Sequence, residues 1–173
     1  TPKVIDSRKM VVELMLSDHP KDCLTCPKSG QCELQTLAES LGVRKIRVTG
    51  DSMSTYALDE SSPSIIRDRD KCIMCRRCET MCNQVQTVGA LTAVDRGFGA
   101  VVSTAFDLPI NETVCTMCGQ CIQVCPVGAL TEKSNLDEVI EALGDPDKTV
   151  IVNTAPAVRA ALGEEFGIEP GYS

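Results

Sequence analysis

"CIMCRRCETMC" (Cys72–Cys82) and "CTMCGQCIQVC" (Cys115–Cys125) are one pattern written twice. Each reads C-x2-C-x2-C-x3-C, and each is followed by "GALT", at Gly89 and again at Gly128. The cysteine runs are offset by 43 residues and the glycines by 39, so the first copy carries four extra residues between its last cysteine and its glycine. That insertion is expected to lengthen a loop. The block from 65 to 132 therefore reads as a duplicated unit.

The spacing has a chemical reason. Two-residue steps let a tight loop wrap three corners of a compact inorganic cluster with backbone N–H groups turned toward the sulfurs, while the fourth thiolate stands on a departing helix. Runs of this kind hold two 4Fe–4S cubes in bacterial-type ferredoxins, the fourth cysteine of each run ligating the other cube. The rule predicts one set of Cys72, Cys75, Cys78 and Cys125, and a second of Cys82, Cys115, Cys118 and Cys121. Pro126 after Cys125 fits the same pattern; the first copy has Asn83 there, which alters the local turn but removes no ligand. Met74, Met81 and Met117 inside the runs read as soft packing around the cubes. Zinc also takes C-x2-C arms, but its ribbons space the arms more widely. An odd total of 11 cysteines cannot all pair as disulfides within one chain.

Eight cysteines are consumed by the duplicated runs, leaving Cys23, Cys26 and Cys32 in "HPKDCLTCPKSGQC". Three thiolates are one short of a four-coordinate site, and His19, the single histidine of the chain, precedes Cys23 by four residues. His19, Cys23, Cys26 and Cys32 are thus expected to hold a third cube. A zinc ion bound by three cysteines and one histidine has the same ligands and competes at this position; the neighbouring cubes favour iron, because a third centre extends an electron chain. An imidazole in place of a thiolate removes a negative charge beside the irons and should make this cluster easier to reduce than an all-thiolate one.

The rest of the composition limits the alternatives. The 173 residues carry a formal charge of -7, 43% hydrophobic residues and 3% aromatics with no Trp. The acidic balance and missing stacking residues exclude a nucleic-acid surface, and every long apolar stretch is broken by charge, so no membrane span is expected. "GFGAVV" from Gly97 lacks the third glycine and following helix of a dinucleotide fingerprint. Arg67, Arg69, Lys71, Arg76 and Arg77 form a local basic group that reads either as a solvated face or as a surface for an acidic ferredoxin.

The pattern predicts an α+β architecture in four parts. Residues 1–50 form a small domain around the His19 site: a helix capped by Asp6 or Ser7 and ending near Ser17, a second helix from Cys32 stopped by Gly42, and a short strand at "KIRV" (Lys45–Val48). Residues 51–64 form a linker loop, and 65–133 a two-cluster ferredoxin-like domain. Residues 134–173 give a helix at "NLDEVIEAL" ended by Gly144 and Pro146, a strand at "TVIVN", and a helix at "APAVRAALGEEFG" with Pro156 in its first turn. One strand and one amphipathic helix cannot cover themselves, so this tail is expected to belong to a larger, truncated domain.

"HPKDCLTCPKSGQCELQ", the two cysteine runs and "TAPAVRAALGEEFG", in this order and spacing, resemble the accessory-cluster region of iron-only (FeFe) hydrogenases along essentially the whole chain. Large subunits of complex I and NAD-dependent formate dehydrogenases share the block of one histidine and three cysteines; the segment from Ala155 to Gly167 is similar to the opening of the hydrogenase catalytic domain instead. The resemblance implies an electron relay through three 4Fe–4S clusters to an H-cluster that reversibly reduces protons. The group of Cys82, Cys115, Cys118 and Cys121 resembles the one nearest that site, and the His19 group an entry point. It also implies a 2Fe–2S cluster and an H-cluster in flanking domains outside this segment, electron supply from ferredoxin or from NAD(P)H-oxidising flavoprotein and 2Fe–2S subunits of a hetero-oligomer, and a cytoplasmic location. With all eleven cysteines assigned, the segment has no catalytic ligands and is expected to transfer electrons only. The alternatives are the electron-input arm of a formate dehydrogenase or complex I relative, and a zinc-stabilised interaction module.

Overall fold

The structure, a computed structural model, describes residues 1–48 and 55–169; the opening of the expected linker, residues 51–54, lies outside them. The chain divides into two compact units, Thr1–Lys133 and Ser134–Ser173.

The first unit begins with α1 (Pro2–Ser17). It starts earlier than an Asp6 or Ser7 cap predicts, because Pro2 at the first helical position has its φ preset and no N–H to leave unpaired. Val12 and Glu13 face inward, and the Glu13 carboxylate accepts from Arg47 Nε at 2.8 Å. The "KIRV" segment that supplies Arg47 forms no strand: among the described residues its alternation has no strand to pair with, and Arg47 is spent on the helix. α2 (Glu33–Ser40) follows Cys32, its N-cap residue, and buries Leu34. It ends as predicted at Gly42, whose φ of +65° lets its N–H reach Glu39 O (2.9 Å) and that of Val43 reach Ala38 O (2.8 Å).

The duplicated block folds as two interlocked halves. The first runs β1 (Ile65–Arg67), the Cys72 run, α3 (Arg77–Thr80) and β2 (Thr92–Val94); the second runs β3 (Val101–Ser103), the Cys115 run, α4 (Gln120–Val124) and β4 (Leu130–Glu132). The outer strands pair antiparallel, Ile65 opposite Glu132 and Arg67 opposite Leu130, and the inner strands likewise, Thr92 opposite Ser103 and Val94 opposite Val101. Each half thus lends a strand to the other, and α3 packs on α4.

The four-residue insertion does not simply lengthen a loop. In the second half Pro126 disfavours a helical backbone at the preceding residue, so Cys125 is already extended (φ -72°, ψ 117°) and α4 stops at Val124. Asn83 imposes no such stop, and α3 runs on into a π turn, Met81–Val85, with the Asn83 amide donating to Leu91 O at 3.1 Å.

The core is small and aliphatic. Ile65, Ile110 and Val127 are nearly sealed, joined by Leu91, Val102 and Leu130 and by the cysteines 78, 121 and 125. The described part of the expected linker is better tied than a loop. Asp59 and Arg67 exchange backbone hydrogen bonds of 3.0 and 2.9 Å, and the Asp59 carboxylate accepts from Arg67 Nη2 (2.9 Å), Arg67 Nε (3.1 Å) and Ile110 N–H (2.9 Å).

The second unit carries α5 (Leu136–Gly144) and α6 (Pro156–Glu165). "TVIVN" is not a strand, since no second strand of this unit stands beside it among the described residues. Leu136, Val139, Ile140 and Leu143 of α5 are exposed. Among the described residues no helix is long and apolar enough to cross a membrane.

Candidate metal centres

Three hollows are ringed by the predicted donors, in the predicted groupings and with no donor shared. Cys72, Cys75, Cys78 and Cys125 line one, with apolar walls from Ile73, Leu91 and Val127. Cys82, Cys115, Cys118 and Cys121 line a second, walled by Ile65 and Ile110. His19, Cys23, Cys26 and Cys32 line a third, closed by Leu16, Leu34 and Gly128. The exchange of fourth cysteines follows from the interlocked strands: α3 carries Cys82 away from its own run toward the second half, while α4 and the Pro126 turn return Cys125 to the first.

The loops repeat in backbone detail. Met74 and Arg76 in the first run, and Met117 and Gly119 in the second, occupy the left-handed region (φ between 52° and 72°). Placing left-handed residues between the cysteines turns successive N–H groups into the concave side, a standard way to make an anion-receiving nest. Met117 N–H lies 3.4 Å from Cys115 Sγ, and Ala90 N–H lies 3.4 Å from Cys82 Sγ. Cys75 and Cys118, at the loop tips, are exposed; Cys78, Cys121, Cys125 and Cys32 are buried.

Deprotonating thiols crowded in such hollows is electrostatically costly without a cation to neutralise the thiolates. Burial, followed by the neighbouring Cys72, Cys125 and Cys75, pushes the Cys78 thiol up to about 12. Burial with Cys115, Cys118 and Cys82 pushes Cys121 to about 12 as well. Burial also raises Cys125, opposed by N–H groups of Val127, Leu130 and Ala129 turned to its sulfur. A cationic occupant reverses this penalty.

His19 fits a ligand role by the same standard. Burial lowers its pKa, opposed by Asp22, so the ring is held neutral, the form in which imidazole donates to a metal. Its Nδ1 is buried without a hydrogen-bond partner among the described residues. No three His, Cys, Asp or Glu side chains of the described residues close on one point as donors to a bare ion do.

The two cysteine-bearing parts meet through residues next to the candidate ligands. Glu33, after Cys32, donates its N–H to the carbonyl of Pro126, after Cys125, at 2.9 Å. The Glu33 carboxylate receives Arg77 in a two-pronged pair of 2.7 and 2.9 Å. Lys71, before Cys72, reaches Asp22, before Cys23, at 3.2 Å and Asp68 at 2.9 Å. Sequence reasoning missed this seam, since the pairs that cross it, Glu33 with Pro126 and Arg77 and Lys71 with Asp22, join residues far apart in the chain. The seam also uses up much of the basic group. Arg67 is bound to Asp59, Arg69 to Asp107 and the Tyr56 ring, Arg76 to Glu79, and Lys71 and Arg77 as above, so its five members are internally paired rather than offered as a bare positive face.

Comparison with known proteins agrees with this geometry. Residues 8–47 match the NADH-ubiquinone oxidoreductase-G iron-sulfur binding region, and residues 68–129 match the 4Fe-4S dicluster domain. The chain is 63% identical to NADP-reducing hydrogenase subunit HndD of Solidesulfovibrio fructosivorans over 99% of its own length and 29% of that protein. It is 34% identical to Iron hydrogenase 1 of Clostridium pasteurianum over 92% of its length and 28% of that protein. An NADH-quinone oxidoreductase polypeptide of Rhizobium meliloti is 37% identical over 75% of this chain and 15% of that one. Among solved structures, a chain of the NAD+-reducing [NiFe]-hydrogenase in the H2-reduced state superposes with a TM-score of 0.70 at 25% identity, over 78% of this chain and 57% of that one. The chain spans less than a third of the hydrogenase relatives. By sequence it belongs to the iron-sulfur region of the iron-hydrogenase type, which has relatives among the NADH-quinone oxidoreductases.

Proposed function

We propose that the chain is an electron relay of three 4Fe–4S clusters: one held by His19, Cys23, Cys26 and Cys32, one by Cys72, Cys75, Cys78 and Cys125, and one by Cys82, Cys115, Cys118 and Cys121. The observation that supports this most directly is the partition of twelve donors among three hollows, four to each. Each bound cube takes up and gives back one electron at a time. The protein's own contribution is to bind and tune: inward N–H groups at Cys82, Cys115 and Cys125 stabilise thiolate charge, apolar walls limit water, and neutral His19 withholds one negative charge from its group.

In the longer protein of which this chain is a segment, the relay would serve reversible proton reduction at an H-cluster, with a 2Fe–2S domain alongside. Electrons would be exchanged with ferredoxin or with NAD(P)H-oxidising flavoprotein and 2Fe–2S subunits of a cytoplasmic hetero-oligomer. The relatives named as NADP-reducing and iron hydrogenases support that assignment over a formate-dehydrogenase arm. Four cysteines within eleven residues, written twice, favour cubes over the wider-spaced arms of a zinc module. Iron and acid-labile sulfide analysis of the anaerobically reconstituted chain, with EPR on the reduced form, tests the relay. About twelve irons per chain and three separable signals are expected; stoichiometric zinc at the His19 group would refute its place in the relay.

A further inference from the structure

The two "GALT" glycines stand at equivalent places in the duplicated halves, yet the structure gives them different work. Gly89 has a φ of +76° and open space where a side chain would project, so it is a glycine for its backbone conformation. Gly128 has no such conformation. A Cβ there would lie 2.8 Å from Cys26 Sγ, 3.3 Å from Lys71 Cδ and 3.6 Å from Lys28 Cβ. Steric exclusion by the neighbouring part of the chain, not backbone freedom, is what demands glycine at 128.

The segment that carries Gly128 cannot retreat. Pro126 O is tied to Glu33 N–H at 2.9 Å, Ala129 O accepts Asp68 N–H at 2.9 Å, and Val127 between them is 1% exposed. Lys71 is fixed by Asp68 and Asp22. Cys26 is therefore the element that must give when Gly128 acquires a side chain.

We propose that Gly128 is a positioning residue for the His19 group: the dicluster half supplies, through this glycine, the wall against which Cys26 is seated. The inference rests on the three-cluster reading above and adds a dependence that runs one way. The His19 group needs the second half of the duplicated block, whereas the three atoms nearest a side chain at 128 include no cysteine of the other two groups; the N–H groups that turn to Cys125 come from the residues on either side of the glycine.

The test is Gly128→Ala in the whole chain, reconstituted beside wild type and beside Gly89→Ala, and measured by iron content and EPR. The expected result is a fall in iron of about one third, with one of three reduced-cluster signals lost or shifted and the other two retained. Gly89→Ala should show no selective change in the His19-group signal. Unchanged iron and signals in Gly128→Ala, or loss spread evenly over all three signals, would overturn the proposal. A wild-type chain without three signals would instead refute the relay reading itself.

Discussion

Replacing Asp59 by Asn should weaken the first unit by about 3 kcal/mol or more. The Asp59 side chain is 9% exposed and that of its partner Arg67 3%. The carboxylate accepts two guanidinium N–H groups, the Ile110 N–H and, at its other oxygen, the Ser61 hydroxyl (2.6 Å) and N–H (3.1 Å). Arg67 has other acceptors, Ser103 Oγ at 3.1 Å and Leu108 O at 3.0 Å, but they are neutral. Removing the charge leaves a buried guanidinium without its directly bonded carboxylate, a change that costs about 3–5 kcal/mol in such pairs, a large share of the ~5–15 kcal/mol that holds a domain together. Arg67 also lines the Cys72 hollow, so faster cluster loss should accompany the weakening.

The pH dependence follows from the same bonds. Burial alone would raise the Asp59 pKa, but the donors from Ser61, Ile110 and Arg67 outweigh it and hold the carboxyl below its ordinary value. A depressed folded pKa contributes stability that is complete above the unfolded value, near pH ~4, and is lost as pH falls through the folded one. Anaerobic guanidinium unfolding followed by circular dichroism, repeated between neutral and acid pH, should show the variant weaker at pH 7 and its disadvantage shrinking in acid. An Asp59→Leu, Arg67→Met double variant should recover part of the loss. A cost under about 1 kcal/mol for Asp59→Asn, or a deficit that grows as pH falls, would refute the reasoning.

His19→Cys should lower the potential of one cluster by adding a thiolate charge, read by redox titration with EPR; no shift, or a rise, counts against ligation by His19. Asn83→Pro should destabilise the first half by about 3 kcal/mol, since the ring breaks the π turn and the amide bond to Leu91 is lost; an unchanged thermal midpoint would contradict this account of the insertion. Chelation of iron should unfold much of residues 15–132, because buried cysteines take the place of large side chains in the core; an apo form with native circular dichroism would argue otherwise.

Which cysteines line a common hollow was legible from two things, the local spacing of three in each run and the pairing rule that sends each fourth cysteine to the other run. Gly42 was legible for a similar reason, a helix stop being decided within five residues. "KIRV" and "TVIVN" misled because alternation states only what a strand would look like and says nothing about a neighbour to pair with. The insertion after Cys82 was visible as a length, but its form depended on Asn83 standing where Pro126 stands in the other half. The basic group looked like a surface because several of its partners, Asp107, Glu33 and Asp22, lie far off in sequence. Contacts of that kind, including Gly128 against Cys26, are fixed by tertiary packing and leave no pattern in a linear reading.

The hydrogen bond from Glu33 to Pro126 carries a consequence for biosynthesis. On the ribosome, His19 and the three cysteines that follow it emerge first, yet the wall that shuts their chamber is among the last pieces of the unit to be made. The earliest donors are enclosed only when the far end of the unit arrives, at the same stretch of chain that completes the Cys72 hollow, so the first-made and second-made chambers share one closing step.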